Sequence, residues 1–148
     1  MAYPDLVEQG GQLFQAKLQR CEAGLAAKNE TIAQPKRDIE QIRERMVGNT
    51  EGLGLLRKQI AISEKLMRDK LATEYEHLQF LREEAGLKSA LLEDKSSLAK
   101  AQSALREAED NKMHYNVNFR VEIQENRTVL EYLIDPFLDS LSQGFQEK

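Results

Sequence analysis

Val7, Phe14, Leu18, Cys21, Leu25, Ile32, Ile39, Ile42 and Met46 fall in one alternating four-three register. Apolar residues at that period form a stripe along one side of a helix and demand a second helix to cover it, wound with a left-handed supercoil. The register is interrupted at Gly11, Lys28 and Pro35. Pro35 lacks an N–H and disfavours α conformation at Gln34, so a break or kink is expected over residues 29–35.

Composition points the same way. Of 148 residues, 31% are charged and only 6% aromatic, with no Trp and few Gly or Pro, so both large core fillers and turn formers are scarce. Leu, Ala, Glu, Lys, Gln and Arg dominate, and these residues lose little rotamer freedom in a helix. The expected fold class is all-α: an elongated coiled coil or a long helical hairpin with a short C-terminal amphipathic helix.

Four segments are expected. Residues 1–47 form N-terminal heptad helices kinked near Pro35. Residues 48–54, "GNTEGLG", hold three glycines that would cost about 1 kcal/mol each in a helix, and Asn49 and Thr50 favour turns and caps, so a loop is expected there. A weakened continuous helix is the alternative, because Leu53, Leu56 and Ile60 keep the preceding register. Residues 55–116 form a long coiled-coil helix, free of Pro and with Gly86 alone among glycines. Its apolar residues lie on two faces, Ile60, Met67, Leu71, Leu78, Leu81 and Ala85 before Gly86, and Leu87, Leu91, Leu98, Ala101, Leu105 and Ala108 after it. The offset of three reads as a register shift at Gly86. Residues 117–148 form a docking segment.

Within "YNVNFRVEIQ", residues 115–124, Tyr115, Val117, Phe119, Val121 and Ile123 alternate with polar residues. The alternation is that of a strand, but no second alternating run exists to pair with it. Tyr115, Phe119 and Ile123 also stand at i, i+4 and i+8 on one helical face, so helix is the expected state, with an intermolecular strand as the alternative. Beyond it, Leu130, Leu133, Ile134, Phe137, Leu138 and Leu141 make a dense apolar stripe, interrupted by Asp135-Pro136, where a short second helix is expected to begin.

Chemistry-bearing motifs are absent. His77 and His114 lack neighbours at metal-ligand spacing, Cys21 is alone, and neither a phosphate-binding glycine loop nor a nucleophile elbow occurs. Glu83-Glu84 and Glu93-Asp94 read as a solvated helix face, and Cys21, lying in the seam, as a small buried hydrophobe. Neither an enzyme nor a cofactor, metal or small-molecule substrate is expected.

Residues 1–74 carry 12 Lys/Arg against 11 Asp/Glu and residues 75–148 carry 9 against 14, so no basic block is available for phosphates and nucleic acid is not an expected partner. Lys36, Arg37, Arg43, Arg45, Arg57 and Lys58 cluster, but Asp38, Glu40 and Glu44 interleave them, which favours a solvated face over a lipid contact. No run approaches the roughly 20 apolar residues of a membrane span, and "MAYPDLVEQGG" lacks a secretory pattern. An intracellular, cytoplasmic or cytoskeleton-associated location is expected.

The resulting reading is a structural or adaptor coiled-coil subunit, assembling with itself or a sister subunit in a cytoskeletal, transport or secretion complex. Its oligomer seam is Phe14, Leu18, Leu25, Ile32, Ile39, Ile42, Met46, Leu87, Leu91, Leu98 and Leu105; its docking surface is the stripe from Leu130 to Leu141. The alternatives are a membrane-surface tether and an export stalk. Bacterial stalk proteins of about this size fold as long helical hairpins, although their basic charge is missing here. The closing "RVEIQENRTVLEYLIDPF" resembles the ends of small coiled-coil subunits of intraflagellar-transport or kinetochore assemblies; coiled coils share composition without ancestry, so this assigns no family.

Overall fold

A computed structural model describes the backbone of residues 3–146, and the side chains of those residues apart from Tyr3, Leu130, Leu133, Phe137 and Gln146. Two helices, α1 (Tyr3–Arg68) and α2 (Glu74–Gln146), form a helical hairpin. The all-α expectation holds, and residues 115–124 are helix.

The reversal lies at residues 69–73, not at the glycines. Gly48, Gly52 and Gly54 are all inside α1. Their helical cost of about 3 kcal/mol together is set against the burial of Leu53 and Leu56, each contributing roughly 1.5–3 kcal/mol. Gly52 also packs beside Leu87, whose Cδ1 lies 3.9 Å from where a Cβ would stand. The expected single helix over 55–116 is therefore cut in two by the turn.

The turn is closed by caps on both sides. Leu71 N–H donates to the Leu66 carbonyl (2.8 Å) and Lys70 N–H to the Met67 carbonyl (3.1 Å). With Lys70 at φ 57°, this is a Schellman C-cap, unusual in placing Lys rather than Gly at the left-handed position. Across the turn, Glu76 N–H donates to Thr73 Oγ1 and Thr73 N–H donates to Glu76 Oε2, both at 3.3 Å. That reciprocal pair is a capping box and starts α2.

Both helices contain an interior proline. α1 runs on through Pro35. An interior Pro costs about 3 kcal/mol or more, and buried Ile32, Ile39 and Ile42 on either side supply the opposing burial. α2 runs on through Pro136, so no separate C-terminal helix begins there; nothing in the described contacts explains that tolerance.

Along α1, Leu18, Cys21, Leu25, Lys28, Ile32, Pro35, Ile39, Ile42, Met46, Asn49, Leu53, Leu56, Ile60, Ser63 and Met67 are buried or half-buried at spacings that alternate three and four without a skip. Along α2 the same holds for His77, Phe80, Glu84, Leu87, Leu91, Asp94, Leu98, Ala101, Leu105, Ala108, Lys112, Tyr115 and Phe119. There is no register shift at Gly86, where an added Cβ would meet nothing within 4 Å. The rungs before Gly86 include polar His77 and Glu84, while the apolar Leu78 and Leu81 face outward, so the expected shift does not occur.

The chain packs as two units. One is Thr31–Ala108, which contains the turn; the other joins the residues up to Glu30 with those from Glu109 onward.

Candidate interaction surfaces

In the Thr31–Ala108 unit, the seam is apolar except at defined rungs. Asp94 is 4% exposed. Its Oδ1 accepts from Arg45 Nε (2.8 Å) and Nη2 (2.5 Å), and its Oδ2 accepts from Asn49 Nδ2 (3.2 Å). The hydrogen bonds from Arg45 hold the Asp94 carboxyl below the usual carboxylate range despite its burial, and the same contact raises Arg45. Charge-assisted bonds of this kind favour the ionised form of the acid. Sequence reading placed Glu93-Asp94 on a solvated face; the neighbour Glu93 is exposed, but Asp94 is in the seam.

Two more polar contacts cross this unit. Arg57 Nε reaches Glu84 Oε1 at 3.2 Å, and Lys88 Nζ reaches the same oxygen at 2.9 Å. Lys88 and Arg57 together keep the Glu84 carboxyl below its ordinary value. Nearer the turn, His77 Nδ1 and buried Ser63 Oγ are 3.3 Å apart. Arg45 and Arg57, members of the basic cluster, are thus committed to carboxylates of α2.

Two grooves open on this unit. Lys36, Glu40, Arg43, Glu44 and Val47 rim one of about 760 Å³, with Ile39, Gln102 and Leu105 also lining it. The other, of about 330 Å³, lies near the turn against Ile62, Leu66 and Phe80. Exposed Leu55, Ile62, Leu66, Leu71, Tyr75 and Leu78 give this end of α1 and α2 an apolar outer surface.

The terminal unit has a different surface. Tyr115, Phe119 and Ile123 are half-buried, and Ile123 and Phe119 sit with Phe14 and Leu18. The Tyr115 ring lies over Gly24, where a methyl would collide with its hydroxyl and stand 2.5 Å from Cζ. Val117 and Val121 face outward, each 51% exposed, in line with exposed Met113 at i, i+4 and i+8. The alternating stretch is therefore a helix with two apolar faces: a seam face and an outer stripe. Leu6 and Leu13, and Val7 and Phe14, add exposed apolar pairs at i, i+7 on α1. Lys17 Nζ meets Glu122 Oε1 at 3.5 Å across this unit.

Of the eleven residues assigned to an oligomer seam, Ile32, Ile39 and Ile42 are buried within the hairpin, and Leu18, Leu25, Met46, Leu87, Leu91, Leu98 and Leu105 are half-buried in it. The hairpin thus covers ten of them within one chain. Phe14 remains exposed. Of the docking stripe, Ile134, Leu138 and Leu141 are exposed, while the side chains of Leu130, Leu133 and Phe137 lie outside the described residues. Cys21 is buried, as its seam position implied.

The family model described as "AprE, long alpha-helical hairpin" matches residues 1–134. The chain belongs to that family. The matched span takes in the whole of α1, the turn and most of α2, so the AprE-type hairpin is the fold seen here. No curated protein and no solved structure gives a significant match. Among the described residues of this AprE-type hairpin, no group of three His, Cys, Asp or Glu is placed to hold a metal ion, and no helix is long and apolar enough to cross a membrane.

Proposed function

We propose that the chain is the helical hairpin of an export or secretion assembly, acting as a stalk-like structural subunit without a catalytic step. Membership of the AprE hairpin family over residues 1–134 carries this reading. It favours the export alternative over a cytoskeletal adaptor. The tethering alternative loses support, because Arg45 and Arg57 of the basic cluster are paired with Asp94 and Glu84.

Mechanistically, the seam gives each subunit its own helix pairing, which leaves the outward apolar residues for neighbours. Met113, Val117 and Val121 form one such stripe, and apolar stripes along a helix face dock against other helices. The neighbour is a second copy or a sister subunit of the same assembly. The exposed Ile134, Leu138 and Leu141 extend the available surface toward the C-terminal end of α2.

Light scattering on the purified chain tests this, with Val117→Asp/Val121→Asp as the comparison. The expected result is a mass above the monomer that falls in the double variant while helical circular dichroism stays unchanged. A wild-type chain that remains monomeric across the micromolar range, alone and with its sister subunits, would overturn the reading.

A further inference from the structure

A hairpin whose two faces repeat every seven residues has a built-in ambiguity. Sliding α2 along α1 by one heptad returns each seam position to another seam position, and the turn moves by only three or four residues. Apolar rungs discriminate weakly between such registers, because Leu, Ile and Met substitute for one another with modest cost. Polar rungs discriminate strongly.

We propose that Asp94, gripped by Arg45 and Asn49, is a register lock that rejects hairpins slipped by one heptad in either direction. The proposal is independent of the function argued above. In the observed register both carboxylate oxygens of Asp94 have donors on α1. Seven residues further along α1, the places of Arg45 and Asn49 are taken by Gly52 and Leu56. A slip that way would set the carboxylate against a residue without a side-chain donor and a buried leucine. Seven residues earlier the same places are held by Asp38 and Ile42. A slip that way would set Asp94 against a like charge and a buried isoleucine.

Each wrong register therefore buries an unpartnered carboxylate, a situation far more unfavourable than an apolar mismatch. The single polar rung that selects one register of a coiled coil works in this way. The turn does not make the lock redundant. Its Schellman cap places Lys70, not Gly, in the left-handed conformation. A shift that breaks the exposed capping box of Thr73 and Glu76 releases its groups to water, whereas a slip at Asp94 leaves a charge buried.

The test is a spin-label distance across the Thr31–Ala108 unit of the full-length chain. Labels go on Lys36→Cys and Glu83→Cys, both at exposed positions, in a Cys21→Ser background. A one-heptad slip moves one label along the other helix by about 10 Å. With Asp94 present a single distance is expected. Asp94→Leu should keep its helicity and show a second population displaced by about that amount. Asp94→Ala, which retains the strongest helix former, replaces it if the leucine variant aggregates. A single native distance in Asp94→Leu or Asp94→Ala would show that the turn and the remaining rungs suffice and would overturn the proposal.

Discussion

The two packing units use one heptad period for different ends. In Thr31–Ala108 the seam rungs include buried Ile32, Ile39, Ile42, Leu53, Leu56 and Ala108, whereas in the terminal unit Cys21 is the one apolar residue of that class among the described residues. The terminal unit instead seats an aromatic ring over a glycine and turns Met113, Val117 and Val121 outward. Aliphatic rungs facing inward close the helix pair of Thr31–Ala108, whose outward apolar residues Leu55, Ile62, Leu66, Leu71, Tyr75 and Leu78 lie toward the turn. Apolar residues divided between two faces make a helix pair that still has surface to bury against something else.

The sharpest way to break this comparison is to truncate both kinds of residue. Leu53→Ala/Leu56→Ala removes two buried leucines, and each such change costs about 2–5 kcal/mol. Val117→Ala/Val121→Ala, on the outer stripe, should change the stability of the isolated chain by about 0.5 kcal/mol or less per site. Urea unfolding followed by circular dichroism measures both. Equal losses in the two variants would mean that the terminal stripe is core and that the two units do not differ as described.

A smaller effect probes the terminal seam itself. Gly24→Ala gains about 1 kcal/mol in helix propensity but drives a methyl into Tyr115, and overpacking costs about 1–3 kcal/mol. The net expectation is a loss of up to about 2 kcal/mol. Adding Tyr115→Leu to Gly24→Ala should recover much of it. If Gly24→Ala alone raises the melting temperature, Tyr115 moves aside freely and the ring-over-glycine seat contributes nothing.

The smallest effect is in acid. Asp94 has its pKa lowered chiefly by hydrogen bonds from Arg45, with a lesser contribution from Asn49. A folded-state value below the unfolded value of about 3.9 means that the contact stabilises the fold fully above that pH, and that this stabilisation is lost as pH falls through the folded-state value. Glu84 behaves in the same sense. Melting temperature should therefore drop between pH 5 and pH 2, and Asp94→Asn should flatten that slope. An identical acid slope in Asp94→Asn would show that the pair does not couple to folding.

The helical nature of the chain was legible from composition, and the α1 seam from Leu18 to Met46 was legible from spacing. The rungs at Lys28, Pro35 and Asn49 were not, because a reading by hydrophobicity treats a polar or cyclic residue as an interruption. Glu84 was missed for the same reason, and apolar Phe80 because Leu78, Leu81 and Ala85 offer a competing face at i, i+3 and i+7. One local signal for the turn was present: Thr73-Glu74-Tyr75-Glu76 has the spacing of a capping box. The three glycines at 48–54 outweighed it.

By itself, then, the sequence determined that this protein is made of helices with a heptad face, since propensity and period act within a few turns of chain. Only tertiary structure decided where the chain reverses, because about 1 kcal/mol per helical glycine is outweighed by burial of Leu53 and Leu56, visible once α2 lies alongside. It also decided that Asp94 belongs inside, since the donors that make its burial tolerable are 49 and 45 residues away in the chain. Nothing local to a carboxylate says which distant arginine will meet it.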